Sequence, residues 1–240
     1  MPRDHVILVH GLAETPAHMA VIEAALRAEG YDVTNLGYPS TTARTADLAD
    51  RFLAPLIDHA SAAPRLHFVT HSMGGIMVRH ALAKAQPANL GRVVMTAPGN
   101  NGSAVLELYR RTPPFKLLFG PAGQETGLGG HCYACALPGA DYELGVIAGT
   151  VGFDPIASVV LQWPNDGRLD VNSVKVDGMK DFATVPARHD TVTFHPLTVF
   201  QTLQFIRHGR FFRELDPRHY RELANDLLTL GRAGQTALAA

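Results

Sequence analysis

The chain holds only two cysteines in 240 residues, so no disulfide framework organises it and a hydrophobic core must do so. It also lacks an excess of charge. The formal net charge is −1, and no Lys/Arg run is longer than the pair Arg110-Arg111, which argues against nucleic acid as a partner. No stretch approaches the ~18 consecutive apolar residues of a membrane-spanning helix. Met1-Pro2-Arg3-Asp4-His5 leads straight into an apolar run with no export signal ahead of it, so a cytoplasmic location is expected. Internal repeats and low-complexity segments are absent.

With 46% hydrophobic and 18% charged residues, the chain can bury one large core, and residues 1–240 read as a single α/β domain. Short apolar runs alternate with stretches of helical periodicity, the pattern of a mostly parallel sheet covered on both faces. Strands are expected near Val6–Val9, Asp32–Leu36, Leu66–Thr70, Arg92–Thr96, Glu143–Gly149 and Phe182–Val185. Helices are expected over Pro16–Glu29, Arg44–His59, Ser72–Gln86 and Pro196–His208. A further amphipathic helix is expected over Asp216–Leu230, within a C-terminal extension spanning 212–240.

Val69-Thr70-His71-Ser72-Met73-Gly74-Gly75 sets one serine between a strand and a helix. A sharp turn there lifts the hydroxyl above the sheet edge and requires small residues two before and two after it. Gly74 meets that need fully, whereas Thr70 is β-branched and meets it only in part. Taken alone, Ser72 could equally cap a helix.

Other segments favour a nucleophile. Val6-Ile7-Leu8-Val9 is followed at once by His10-Gly11-Leu12, and with the serine turn downstream the chain resembles the α/β-hydrolase superfamily, in particular its bacterial lipase- and esterase-like serine hydrolases. The resemblance implies the α/β-hydrolase fold and an oxyanion hole formed by the N–H groups of Leu12 and Met73, with His10 and Gly11 beside the substrate. It also implies the chain order serine, acid, histidine. Trp163-Pro164-Asn165-Asp166-Gly167, with Ser173 six residues beyond Gly167, looks like the Asn-Asp-Gly segment that carries the acid in such hydrolases. Asp166 is therefore the expected acid, ahead of Asp154 and Asp170, although Asp-Gly is also a plain turn dipeptide.

His189 follows the last expected strand, where the fold delivers its histidine, and is the expected base. Its rival His195 directly precedes Pro196, which suits a helix entry better. His71, inside the turn, is expected to point away from the site and to pack or to support it through another residue rather than act in catalysis. The remaining histidines lack ligand-like spacing, so no metal is expected. Cys132 and Cys135 read as two free thiols or packing cysteines, ahead of a disulfide or a metal role.

The segment 98–141 interrupts the alternation and is rich in glycine and proline. The resemblance implies a lid or cap there, with Phe115, Leu117, Leu118 and Phe119 facing the substrate. The function expected is hydrolysis of a small-molecule ester with an apolar acyl or alkyl group through a Ser72–Asp166–His189 triad and an acyl-enzyme. No cofactor is implied. The same triad would serve an acyltransferase or thioesterase, and a silent binding protein of this fold is the alternative of another class. Either a monomer or a homodimer fits.

Overall fold

The computed structural model describes residues 2–152 and 155–213. In chain order these form β1 (His5–Val9), α1 (Ala20–Ala28), β2 (Asp32–Leu36), α2 (Thr45–Leu48), α3 (Ala54–His59), β3 (Leu66–His71), α4 (Met73–Lys84) and β4 (Leu90–Thr96). There follow α5 (Ala104–Tyr109), α6 (Pro113–Gly123), β5 (Leu144–Gly149), α7 (Pro155–Val160), β6 (Asp181–Val185) and α8 (Pro196–His208). The expected strands are all present to within two residues at either end. The helix expected over Arg44–His59 is present from Thr45 without a gap, with a π turn, Ala49–Leu53, set between α2 and α3. Asp154 and the helix expected over Asp216–Leu230 lie outside the described residues.

The six strands form one sheet in the order β2-β1-β3-β4-β5-β6, and every neighbouring pair is parallel. Side chains alternate across a strand, so β1 sends Val6 and Leu8 to one face and Ile7 and Val9 to the other. Val6 and Leu8 join Ile22, Leu26, Phe205 and Ile206 of α1 and α8. Ile7 and Val9 join Leu48, Leu53, Phe68 and Met77 on the face covered by α2 and α4. With both faces buried, the central strands need no polar alternation, which is why β3 is buried along its whole length.

Residues 98–141 fold into α5, α6 and two short 3₁₀ turns, Gly129–His131 and Tyr133–Ala136. The second turn brings the Cα atoms of Cys132 and Cys135 to 5.3 Å, within disulfide reach, and the two sulfurs are bonded. The expectation of free thiols is thereby overturned, because a spacing of three residues closes when the backbone takes a 3₁₀ turn. At the other end of the chain, α8 starts as expected. The His195 side chain accepts the Leu197 N–H at the N-cap, Pro196 takes the first helical position, and Gly209 ends the helix at φ 68°.

Candidate active site

Ser72 alone makes the turn from β3 into α4, at φ 50° and ψ −122°. A non-glycine residue there stores on the order of 1–3 kcal/mol of backbone strain, which the surrounding packing must hold. The turn presses the start of α4 against the end of β1. A Cβ on Gly74 would stand 2.3 Å from the Val9 carbonyl oxygen, so the position two after the serine admits only glycine. Thr70, two before it, fits fully buried within β3.

The three residues expected to act together do meet. His189 Nε2 lies 3.2 Å from Ser72 Oγ, and His189 Nδ1 lies 2.8 Å from Asp166 Oδ2. The Asn165-Asp166-Gly167 segment is both the turn and the carboxylate position that its sequence suggested. Asp166 Oδ1 accepts the N–H groups of Arg168 and Leu169 at 2.9 and 2.7 Å, and the Asp166 carbonyl accepts the His189 N–H. Asp170 instead spends its carboxylate on the Asn172 and Ser173 N–H groups. His195 is occupied at the helix cap.

Burial alone would lower the His189 pKa, but the charge of Asp166 and its hydrogen bond outweigh burial and hold it above the ordinary 6.5. Burial would likewise raise Asp166, yet His189 and the two backbone donors keep its pKa below the usual 3.8. The carboxylate therefore stays ionised and fixes the imidazole with Nε2 toward the serine.

Ser72 and His189 open into a cavity of about 100 Å³ whose apolar wall includes Leu12, Ile76, Leu106, Phe119, Tyr133 and Leu169. Of the four side chains expected from the insertion, only Phe119 reaches it. Phe115 is buried and packs on Phe119, while Leu117 and Leu118 are 86% and 63% exposed and turn away. Helical spacing explains this, because a short helix can offer only one of several consecutive residues to a given wall. His10 is also corrected. It is fully buried, stacked 4.2 Å from the Tyr38 ring, and lines no part of the cavity; nor does Gly11.

The sequence reading missed Glu14, Tyr133, Arg168 and Asp190, all of which line the cavity. Glu14 Oε2 accepts the Gly11 N–H at 2.7 Å and lies 2.9 Å from His71 Nδ1. Burial opposes its charge, but His71 and that N–H pull its pKa down to about 2. His71 lines no part of the cavity and makes the supporting contact expected of it, pairing with the cavity carboxylate of Glu14, with its ring centre 5.0 Å from that of His189. A carboxylate three residues after a strand-ending Gly, in an otherwise apolar loop, was the available signal. The Ala13 N–H is taken by Ser40 Oγ at 2.9 Å. Among the described residues, the N–H groups of Leu12 and Met73 have no protein acceptor.

A parallel sheet in this strand order, with a strained serine between β3 and α4, defines an α/β-hydrolase, and the chain has that fold. Within the class, residues 2–99 match the family described as "Putative serine esterase (DUF676)". The chain is 35% identical over 130 residues to esterase PIR7B of Oryza sativa subsp. japonica, an alignment taking in 48% of each protein. It is also similar to the propeptide form of the lipase BlEst2 of Bacillus licheniformis, with a TM-score of 0.64 at 18% identity, covering 90% of this chain and 52% of that one. Phospholipase PlaB of Legionella pneumophila gives a TM-score of 0.62 at 17% identity, covering 98% of this chain and 65% of that one. The chain thus spans about half the length of the rice esterase and of the propeptide-form lipase.

Proposed function

We propose that the protein is a carboxylic ester hydrolase acting by acyl transfer through Ser72. His189 Nε2 takes the hydroxyl proton as Ser72 Oγ attacks the ester carbonyl, and Asp166 stabilises the imidazolium that forms. The Leu12 and Met73 N–H groups receive the tetrahedral oxyanion, each such donor contributing about 3 kcal/mol to the barrier reduction. Collapse breaks the acyl–oxygen bond, and the departing alcohol takes the proton from His189. Water, deprotonated by His189, then attacks the acyl-serine and releases the carboxylic acid.

The observation that carries this reading is the hydrogen-bonded line from Asp166 through His189 to Ser72, of 2.8 and 3.2 Å, ending in an apolar cavity. The small, leucine- and phenylalanine-lined volume favours a short apolar acyl group. The matching of residues 2–99 to the family described as "Putative serine esterase (DUF676)" adds support from the stretch that holds the nucleophile turn.

A series of p-nitrophenyl esters from acetate to palmitate tests the proposal. Hydrolysis by the wild type that vanishes in Ser72→Ala, with kcat/KM highest among the short chains, is the expected result. A folded wild type inert toward every ester would overturn the activity. A preference for long chains would overturn the acyl assignment alone.

A further inference from the structure

The carboxylate of Glu14 is placed where two chain segments must be held together. One of its oxygens accepts the Gly11 N–H at 2.7 Å and meets His71 Nδ1 at 2.9 Å. Gly11 precedes Leu12, and His71 stands two residues before Met73, so one oxygen atom bridges the two segments that carry the proposed oxyanion donors. Ser40 takes the Ala13 N–H on the far side of Leu12, so the peptides flanking the Leu12 N–H are both tied to side chains. The gap being bridged is narrow. A Cβ on Gly11 would stand 2.8 Å from Glu14 Oε2 and 2.9 Å from Ser72 Cβ, which brings the loop, the carboxylate and the nucleophile into one packed group.

The bond from a neutral N–H to a charged acceptor is of the stronger kind, and it is shielded here because only 11% of the Glu14 side chain is exposed. Glu14 also faces the cavity, but its oxygen is committed to the Gly11 N–H and His71. An oxyanion hole acts only when its donors are fixed before charge develops, since donors that must reorganise during the reaction lose most of their effect.

We propose that Glu14 is a positioning residue: its carboxylate clamps the loop after β1 to the nucleophile turn and so sets the spacing of the Leu12 and Met73 N–H groups. The proposal rests on the ester-hydrolase reading above for its catalytic consequence, whereas the clamp itself can be read without turnover.

Glu14→Ala and Glu14→Gln separate the possibilities. Gln keeps one oxygen able to accept both the Gly11 N–H and a His71 N–H, so geometry survives while the charge is lost. With p-nitrophenyl butyrate, Glu14→Ala should lower kcat about 10- to 100-fold with KM within about twofold, below the roughly 10²–10³-fold cost of deleting a donor outright. Glu14→Gln should recover kcat to within about fivefold of the wild type. Amide hydrogen exchange of the peptide spanning residues 10–14, measured on the unliganded proteins, should accelerate in Glu14→Ala and stay at the wild-type rate in Glu14→Gln.

Unchanged kcat in Glu14→Ala, a rise confined to KM, or a Gln variant as impaired as the Ala variant would each overturn the positioning role. Unchanged exchange in Glu14→Ala would overturn the clamp even if the wild type proved inert toward esters. An inert wild type with accelerated exchange in Glu14→Ala would uphold the clamp and place the fault with the ester-hydrolase reading. If Glu14→Ala fails to fold, Glu14→Gln with wild-type exchange and near wild-type kcat upholds the clamp, and Gln with fast exchange overturns it.

Discussion

The sheet and the 98–141 segment supply opposite walls of one cavity by different means. Ser72 follows β3 directly, Asp166 lies against Gly149 at the end of β5, and His189 follows β6; β3 and β5 are buried along their whole length, whereas β6 is a partly exposed edge strand. The insertion packs through small apolar clusters and is tied to the rest of the fold by side-chain hydrogen bonds. Glu125 accepts the Thr45 N–H, His80 meets the Tyr133 hydroxyl at 2.6 Å, Arg79 donates to the Leu137 and Pro138 carbonyls, and Ser103 Oγ donates to the Arg168 carbonyl, while the Cys132–Cys135 bond closes the turn beside Tyr133 from within. The proposed triad is thus held chiefly by the packing of the sheet, and the insertion's side of the cavity chiefly by side-chain hydrogen bonds.

The largest effects should fall on the sheet side. Ser72→Ala should lower kcat by about 10⁴-fold or more while leaving stability close to that of the wild type, as steady-state kinetics and thermal melts would show. Asp166→Asn should follow, with a loss of about 10³- to 10⁴-fold, because the imidazole loses both its tautomer and its compensating charge. Its pH profile carries a sign. His189 must be neutral to accept the serine proton, and its pKa lies above 6.5 because Asp166 outweighs burial, so the wild-type kcat/KM should rise with pH through a midpoint above 6.5. Removing the Asp166 charge should move that acid limb downward.

The same contrast decides what the sequence revealed. The central strands were legible because burial on both faces leaves short continuous apolar runs such as Val6-Ile7-Leu8-Val9. Ser72 and His189 stood out because each follows a strand, Ser72 with Gly74 marking its sharp turn, and Asp166 because Asn165-Asp166-Gly167 marks a turn in the loop after α7. The insertion was opaque at the level of side chains. In Phe115-Lys116-Leu117-Leu118-Phe119 all but Lys116 are apolar, so hydrophobicity could not say that, of these, Phe119 alone faces the cavity. Glu14 and its pairing with His71 escaped for another reason. Their importance comes from meeting each other across 57 positions of chain, which no local pattern encodes.

Stability should reproduce the division more quietly. Phe68, fully buried in β3, should cost about 3–5 kcal/mol on truncation to Ala. The double variant Cys132→Ser/Cys135→Ser should lose only about 2 kcal/mol, since so short a loop restricts the unfolded chain little. Leu117→Ala, at an exposed position of α6, should fall within about 0.5 kcal/mol of the wild type by denaturant titration. A Leu117→Ala loss as large as that of Phe68→Ala would erase the distinction between the two regions.

The central claim is that Ser72 is an activated nucleophile, and covalent labelling reaches it without any assumption about the substrate. The folded wild type and Ser72→Ala would be treated with a fluorophosphonate probe and the modified peptide mapped by mass spectrometry. Modification at Ser72, absent from the variant and abolished by His189→Ala, is the expected result; a folded wild type that stays unmodified, or is modified at another serine, would contradict the account.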